Sequence, residues 1–111
     1  MIRIDVEAFD RGLAAAPWGG PIHAAWRGLL PACPPEGVPL TALDRLARER
    51  SLRTGAGRAL RFVAADTVEP AAYEAHIART GEVPTRVAGP GALHDLLNAL
   101  AWLAWPETKA G

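Results

Sequence analysis

The stretch whose reading decides the fold is His94-Asp95-Leu96-Leu97-Asn98-Ala99-Leu100-Ala101-Trp102-Leu103-Ala104-Trp105-Pro106. On a helix advancing about 100° per residue, Leu93, Leu96, Leu97, Leu100, Leu103 and Ala104 share one arc, about a third of the circle wide. That is the stripe expected to face a core. The opposite arc would carry lysine and glutamate if it met water. It holds His94, Asp95, Asn98, Trp102 and Trp105 instead. Burying a large apolar side chain contributes ~1.5–3 kcal/mol, so two tryptophans are expected to pack against something. A polar group buried without a partner costs roughly 1–3 kcal/mol. The His94/Asp95/Asn98 cluster is therefore hydrogen-bonded within the fold, wet inside a pocket, or in contact with a ligand or partner.

Working outward, Gly89-Pro90-Gly91 is a turn that introduces this helix, and Val83 to Val87 is extended, because a residue before proline avoids helical angles. Glu69-Pro70 starts a helix with Tyr73, His76, Ile77 and Thr80 on one face, and Gly81 stops it. Leu60 to Val63 alternates as a short strand does. Thr41 reads as the N-cap of a helix with Asp44 at its third position, Leu43, Leu46 and Ala47 buried, and Gly55 and Gly57 ending it. On its wet side Asp44/Arg48 and Glu49/Arg53 have ion-pair spacing. Pro31, Pro34, Pro35, Gly37 and Pro39 predict a connection without regular structure. Ile22, Trp26, Leu29 and Leu30 line one short helix and Val6, Phe9 and Leu13 another, with Pro17-Trp18-Gly19-Gly20-Pro21 breaking the chain between them.

The 111 residues suffice for one domain with one core. Half of them are hydrophobic and 22% charged, a globular balance. Twelve basic residues cancel twelve acidic ones, which removes the whole-chain attraction to nucleic acid or an anionic membrane. Six arginines nevertheless lie between Asp44 and Arg61 against two acids. One cysteine, Cys33, cannot form an internal disulfide. The acid-bearing start lacks a signal-peptide pattern, and no run nears the ~20 apolar residues of a membrane span. These features together predict a soluble cytoplasmic protein.

Residues 94–110 resemble the signature of the bacterial domain-of-unknown-function family 3025, which approximates His-Asp-Leu-Phe-Asn-Ala-Leu-Val-Trp-Leu-x-Phe-Pro-Arg-x-Lys. Arg61-Phe62-Val63, Tyr73-Glu74 and Gly81-Glu82-Val83-Pro84-Thr85-Arg86 are similar in kind and order, so the resemblance covers residues 60–111. The chain departs from the pattern with Leu97 and Trp105 in place of phenylalanine and Glu107 in place of arginine, and the last exchange argues against an anion-binding role at 107. The resemblance implies no reaction. It does imply longer relatives, so that residues 1–111 would form a single domain or the N-terminal part of a larger one. A natural short form, a fragment and a truncated gene product remain open.

Nucleophilic chemistry lacks materials. Ser51, the only serine, sits among arginines, and Cys33 precedes two prolines that supply no oxyanion-binding N–H. His23, His76 and His94 show no metal-ligand spacing, and no cofactor is implied. Thr54-Gly55-Ala56-Gly57-Arg58 follows a helix, unlike a phosphate loop. The arginine-rich stretch reads as a solvated helix face, and nucleic acid is not the expected partner. The sequence thus predicts a mainly α or α-rich α+β fold of four or five short helices with one or two extended segments. Two functions of different class stand. In one, an interaction or structural module docks through the helix face bearing His94, Asn98, Trp102 and Trp105 on a protein partner, another copy of the chain or a missing domain, with Arg86 as a further binding candidate. In the other, a small enzyme or ligand-binding domain uses His94 as acid/base, oriented by Asp95, with Asn98 supplying a polar contact.

Overall fold

The computed structural model describes residues 1–17, 20–65, 69–106 and 109. Trp18, Gly19, Glu107 and Ala110, which figured in the sequence reading, lie outside them. Among the described residues are five α-helices and four short strands, an α-rich α+β arrangement.

The chain opens with β1 (Ile2–Arg3) and α1 (Val6–Ala15), whose first turn is capped by the Asp5 carboxylate accepting the Ala8 N–H at 3.1 Å. In α2 (Gly20–Leu29) the apolar positions Ile22, Trp26 and Leu29 are buried, as their spacing predicts. Trp26 meets Phe9 edge to face at 4.7 Å, and its indole N–H donates to Asp10 at 2.7 Å. The proline-rich connection is more regular than expected. A 3-10 turn covers Leu30–Ala32, and Gly37–Val38 forms β2, antiparallel to β1 with Ile2 opposite Val38. Both of those side chains are fully buried, and their burial recruits a segment that composition alone marks as irregular.

Helix α3 (Leu40–Glu49) follows β2 directly, so Pro39, not Thr41, stands at its N-cap. The Asp44 carboxylate is turned away from the helix start and accepts the Phe62 N–H at 2.6 Å, a contact 18 residues along the chain. The i, i+4 pairs Asp44/Arg48 and Glu49/Arg53 do not form among the described residues. Nor do Gly55 and Gly57 end this helix. Ser51 does so, at φ 52°, with its N–H bonded to Arg48 O and the Leu52 N–H bonded back to Ala47 O. That pair of bonds is a Schellman stop with serine where glycine is usual. Gly55 and Gly57 instead lie in a tight hairpin closed by the Arg53–Ala59 bridge.

The second half is a strand–helix–strand unit. β3 (Arg61–Ala64) and β4 (Glu82–Thr85) pair in parallel, Arg61 opposite Glu82 through Ala64 opposite Thr85. A parallel pair needs a crossover, supplied here by a 3-10 turn at Pro70–Ala72 and α4 (Tyr73–Thr80). Gly81 ends α4 as expected, at φ 79°, and a Cβ there would lie 2.2 Å from Ala59 O. Helix α5 (Gly91–Ala104) then packs mainly on α2, with further contact to β4, α3 and β1. It ends because Trp105 precedes Pro106 and leaves helical angles. The buried apolar residues form one cluster that draws on every α-helix except α4, with Ile77 of α4 packed at its edge.

A left-handed serine is strained by about 1–2 kcal/mol relative to glycine. Ser51→Gly is therefore expected to stabilise the fold by roughly 0.5–1 kcal/mol in denaturant unfolding. An unchanged or lowered midpoint would contradict this account of how α3 ends.

Candidate functional site

The buried arc of α5 differs from the one predicted. Ala92, Asp95, Leu96, Ala99, Leu100, Trp102 and Leu103 face inward, an arc rotated by roughly 80° from the leucine stripe. Leu93, expected in the core, is 48% exposed. Trp102, expected on the face needing cover, is only 5% exposed and is covered by the protein itself. The alanines near the middle of the inner arc permit close approach to neighbouring elements. The leucines fill one flank and Asp95 and Trp102 the other, and Leu97 and Ala104 are only partly buried against the core.

The rotation has a local cause in Asp95. Its carboxylate accepts the Arg86 backbone N–H at 2.7 Å and the Arg86 Nε–H at 3.0 Å on one oxygen, and Arg86 Nη2–H at 3.0 Å on the other. The guanidinium thus binds in its two-pronged geometry. His94 Nδ1 lies 3.2 Å from the same carboxylate. Burial alone would raise the Asp95 pKa, but the hydrogen bonds from Arg86 and His94 and the Arg86 charge outweigh it and hold the carboxyl below its usual value. Gly91 makes the clasp possible, since a Cβ at that position would lie 2.3 Å from Arg86 Cζ. Arg86 immediately follows β4, so the clasp joins the end of the strand to the first turns of α5.

The three polar candidates therefore part company. Asp95 is buried and committed to Arg86. The His94 side chain is 78% exposed. Asn98 accepts from Lys109 at 2.5 Å and borders a cleft of ≈510 Å³ with Trp102, Glu74 and Ile77, whose lining includes neither His94 nor Asp95. Lys109 also sits 5.8 Å over the Trp102 ring. Burial raises the Cys33 pKa, and its thiol donates to Leu29 O at 3.3 Å, so thiolate chemistry is disfavoured there. No group of three or more metal-ligating side chains converges among the described residues. The sequence reading missed a second histidine–carboxylate pair, in which His76 Nε2 lies 3.0 Å from Glu82, itself held by Arg61 at 2.7 Å. Only the parallel β3–β4 pairing brings Arg61 beside Glu82, so spacing along the chain carried no signal for it.

Outward on α5, His94 and Asn98 lie beside an apolar row. Leu93, Leu97, Ala101 and Ala104 occupy its outer side, with Trp105, 43% exposed, at its end. Among the described residues, Leu93 and Trp105 are two of the three large hydrophobic residues left exposed, Met1 being the third. The class this defines is a small helical domain with a locked polar clasp on one side of its last helix and an apolar strip on the other. Residues 60–111 match the model of a family described as a protein of unknown function, DUF3025, which bears out the resemblance read over that stretch. The matched region holds the β3–α4–β4 unit, the clasp and the whole of α5. No curated protein and no solved structure matches the chain. No helix among the described residues is long and apolar enough to cross a membrane.

Because the Asp95 pKa is lowered in the folded state, the stability it contributes is complete above the ordinary aspartate value. It is lost as pH falls through the lower folded value. Asp95→Asn should cost about 1–3 kcal/mol at neutral pH and flatten the acid limb of the stability curve. Equal stability of the two proteins across the acid range would show that the clasp contributes nothing.

Proposed function

We propose that this protein is an interaction module that docks on another protein chain through the outer side of α5. The observation that carries the reading is the exposure of Leu93 and Trp105 beside the half-buried Leu97, Ala101 and Ala104 on one helix. A row of apolar side chains along the outside of one helix is a surface on which another protein can dock, and tryptophan is among the residues most often central to a protein interface. His94 and Asn98 border the strip, where a polar rim is useful for orientation. Trp102 serves this surface from behind, as part of the core that holds α5 rigid, and makes no contact of its own with a partner.

The geometry gives less support to acid–base catalysis. A catalytic carboxylate that orients histidine needs free acceptor capacity and a sheltered substrate position. Asp95 already accepts from the Arg86 fork and backbone, and His94 is largely in water.

Sedimentation velocity with a hydrophobic dye tests the proposal. The wild-type chain should bind dye or associate as concentration rises, and Leu93→Asp with Trp105→Ser should abolish both. The thermal transition should shift little, because both side chains are already about half exposed. A wild-type chain that stays a compact monomer and binds no dye would contradict the docking face.

A further inference from the structure

We infer that a groove along α3, edged by Arg45, Arg48, Arg53 and Arg61, binds an acidic peptide segment of another protein. It involves none of the residues of the outer α5 strip, so it stands or falls separately from the function proposed above.

The arginines between Asp44 and Arg61 do different things once folded. Arg50 leaves the group entirely, donating to Leu103 O at 2.9 Å and so capping a carbonyl at the end of α5. Arg53 donates to Gly57 O at 3.0 Å and Arg61 to Glu82 at 2.7 Å, each through one terminal nitrogen. Both are thereby oriented while keeping further N–H donors. Arg45 and Arg48 take part in no ion pair among the described residues. They are three apart on a helix, where like charges repel.

Two clefts meet at Arg48. The first, ≈310 Å³, has Pro39 and Ala42 beneath Thr41, Arg45 and Arg48. The second, ≈330 Å³, has Leu52 and Leu60 between Arg48, Arg53 and Arg61. Each combines an apolar lining with guanidinium groups at its edge. Arg48 lines both, so the two clefts adjoin at that side chain.

That pattern fits glutamate or aspartate side chains, whose methylenes can lie on the apolar lining while the carboxylates take the planar guanidinium fork. Asp44, the one acid lining either cleft, has one oxygen engaged by the Phe62 N–H and is outnumbered by Arg45, Arg48, Arg53 and Arg61. Nucleic acid fits less well. No aromatic side chain lines either cleft for a base to stack on. An extended acidic peptide needs none.

The test is fluorescence anisotropy of a labelled octaglutamate peptide titrated with the full chain at low and high salt. Binding at low salt that weakens as salt rises is expected. Arg45→Glu with Arg48→Glu should weaken it roughly tenfold or more, while Arg11→Glu on α1 should leave it unchanged. Should the charge reversals unfold the protein, Arg45→Gln with Arg48→Gln carries the same expectation, with circular dichroism confirming the fold. The inference is overturned if the wild-type chain does not bind octaglutamate or if Arg11→Glu weakens binding equally. It is also overturned if a single-stranded oligonucleotide of equal charge binds more tightly than the peptide.

Discussion

Three hydrogen bonds from Arg86 to one carboxylate, that of Asp95, tie the end of β4 to the first turns of α5. The clasp is short in sequence, nine residues, and it anchors the start of the longest helix in the described structure. Its acceptor is buried and its guanidinium half exposed, so the cost of desolvation falls mainly on Asp95. The three donors offset that cost. Gly91 is part of the same device, because any side chain there would occupy the space of the Arg86 guanidinium. A glycine that reads as a turn residue thus also gives the arginine access to its partner.

Once Asp95 is turned inward, the rest of α5 follows by helical geometry. Trp102, seven residues on and nearly two full turns away, must also face inward, and Ala92 and Ala99 fall on the same side. The helix therefore meets α2 through alanines and leucines together, with Trp102 buried at one flank. The same rotation carries Leu93 outward, while Trp105 is exposed past the helix end. The outward position of Leu93 and the locked polar clasp have one origin. Arg50, reaching from the end of α3 to Leu103 O, fastens the far end of the helix.

Much of this was legible in the sequence, and the failures have identifiable causes. Helices α1, α2, α4 and α5 were marked by spacing and by breakers such as Gly81 and Pro106, and the two extended segments of the second half do pair. The inward face of α5 was misjudged because hydrophobicity favours leucine over alanine and aspartate. A salt-bridged carboxylate near the helix start redirects the whole face, and no periodicity rule contains that information. The end of α3 was misplaced because serine, not glycine, adopts the left-handed turn. Asp44 has the spacing of a helix-start or surface-pair residue, yet it serves a strand backbone 18 residues away. Of the candidate cluster His94/Asp95/Asn98, Asp95 is the member buried among partners, and its partner is Arg86, which the sequence marked only as a separate binding candidate.

If the clasp is the constraint on which α5 depends, the Asp95 carboxyl itself should report it. Its side-chain carbon resonance, followed by nuclear magnetic resonance as the intact chain is titrated with acid, reads the pKa of that one group. A titration below the ordinary aspartate value of about 3.9 is expected, with the Arg86 amide shifting in step as its acceptor is protonated. An Asp95 that titrates at or above the ordinary value, with the Arg86 amide indifferent to it, would contradict the clasp. The inward turn of α5 would then have no cause in Asp95.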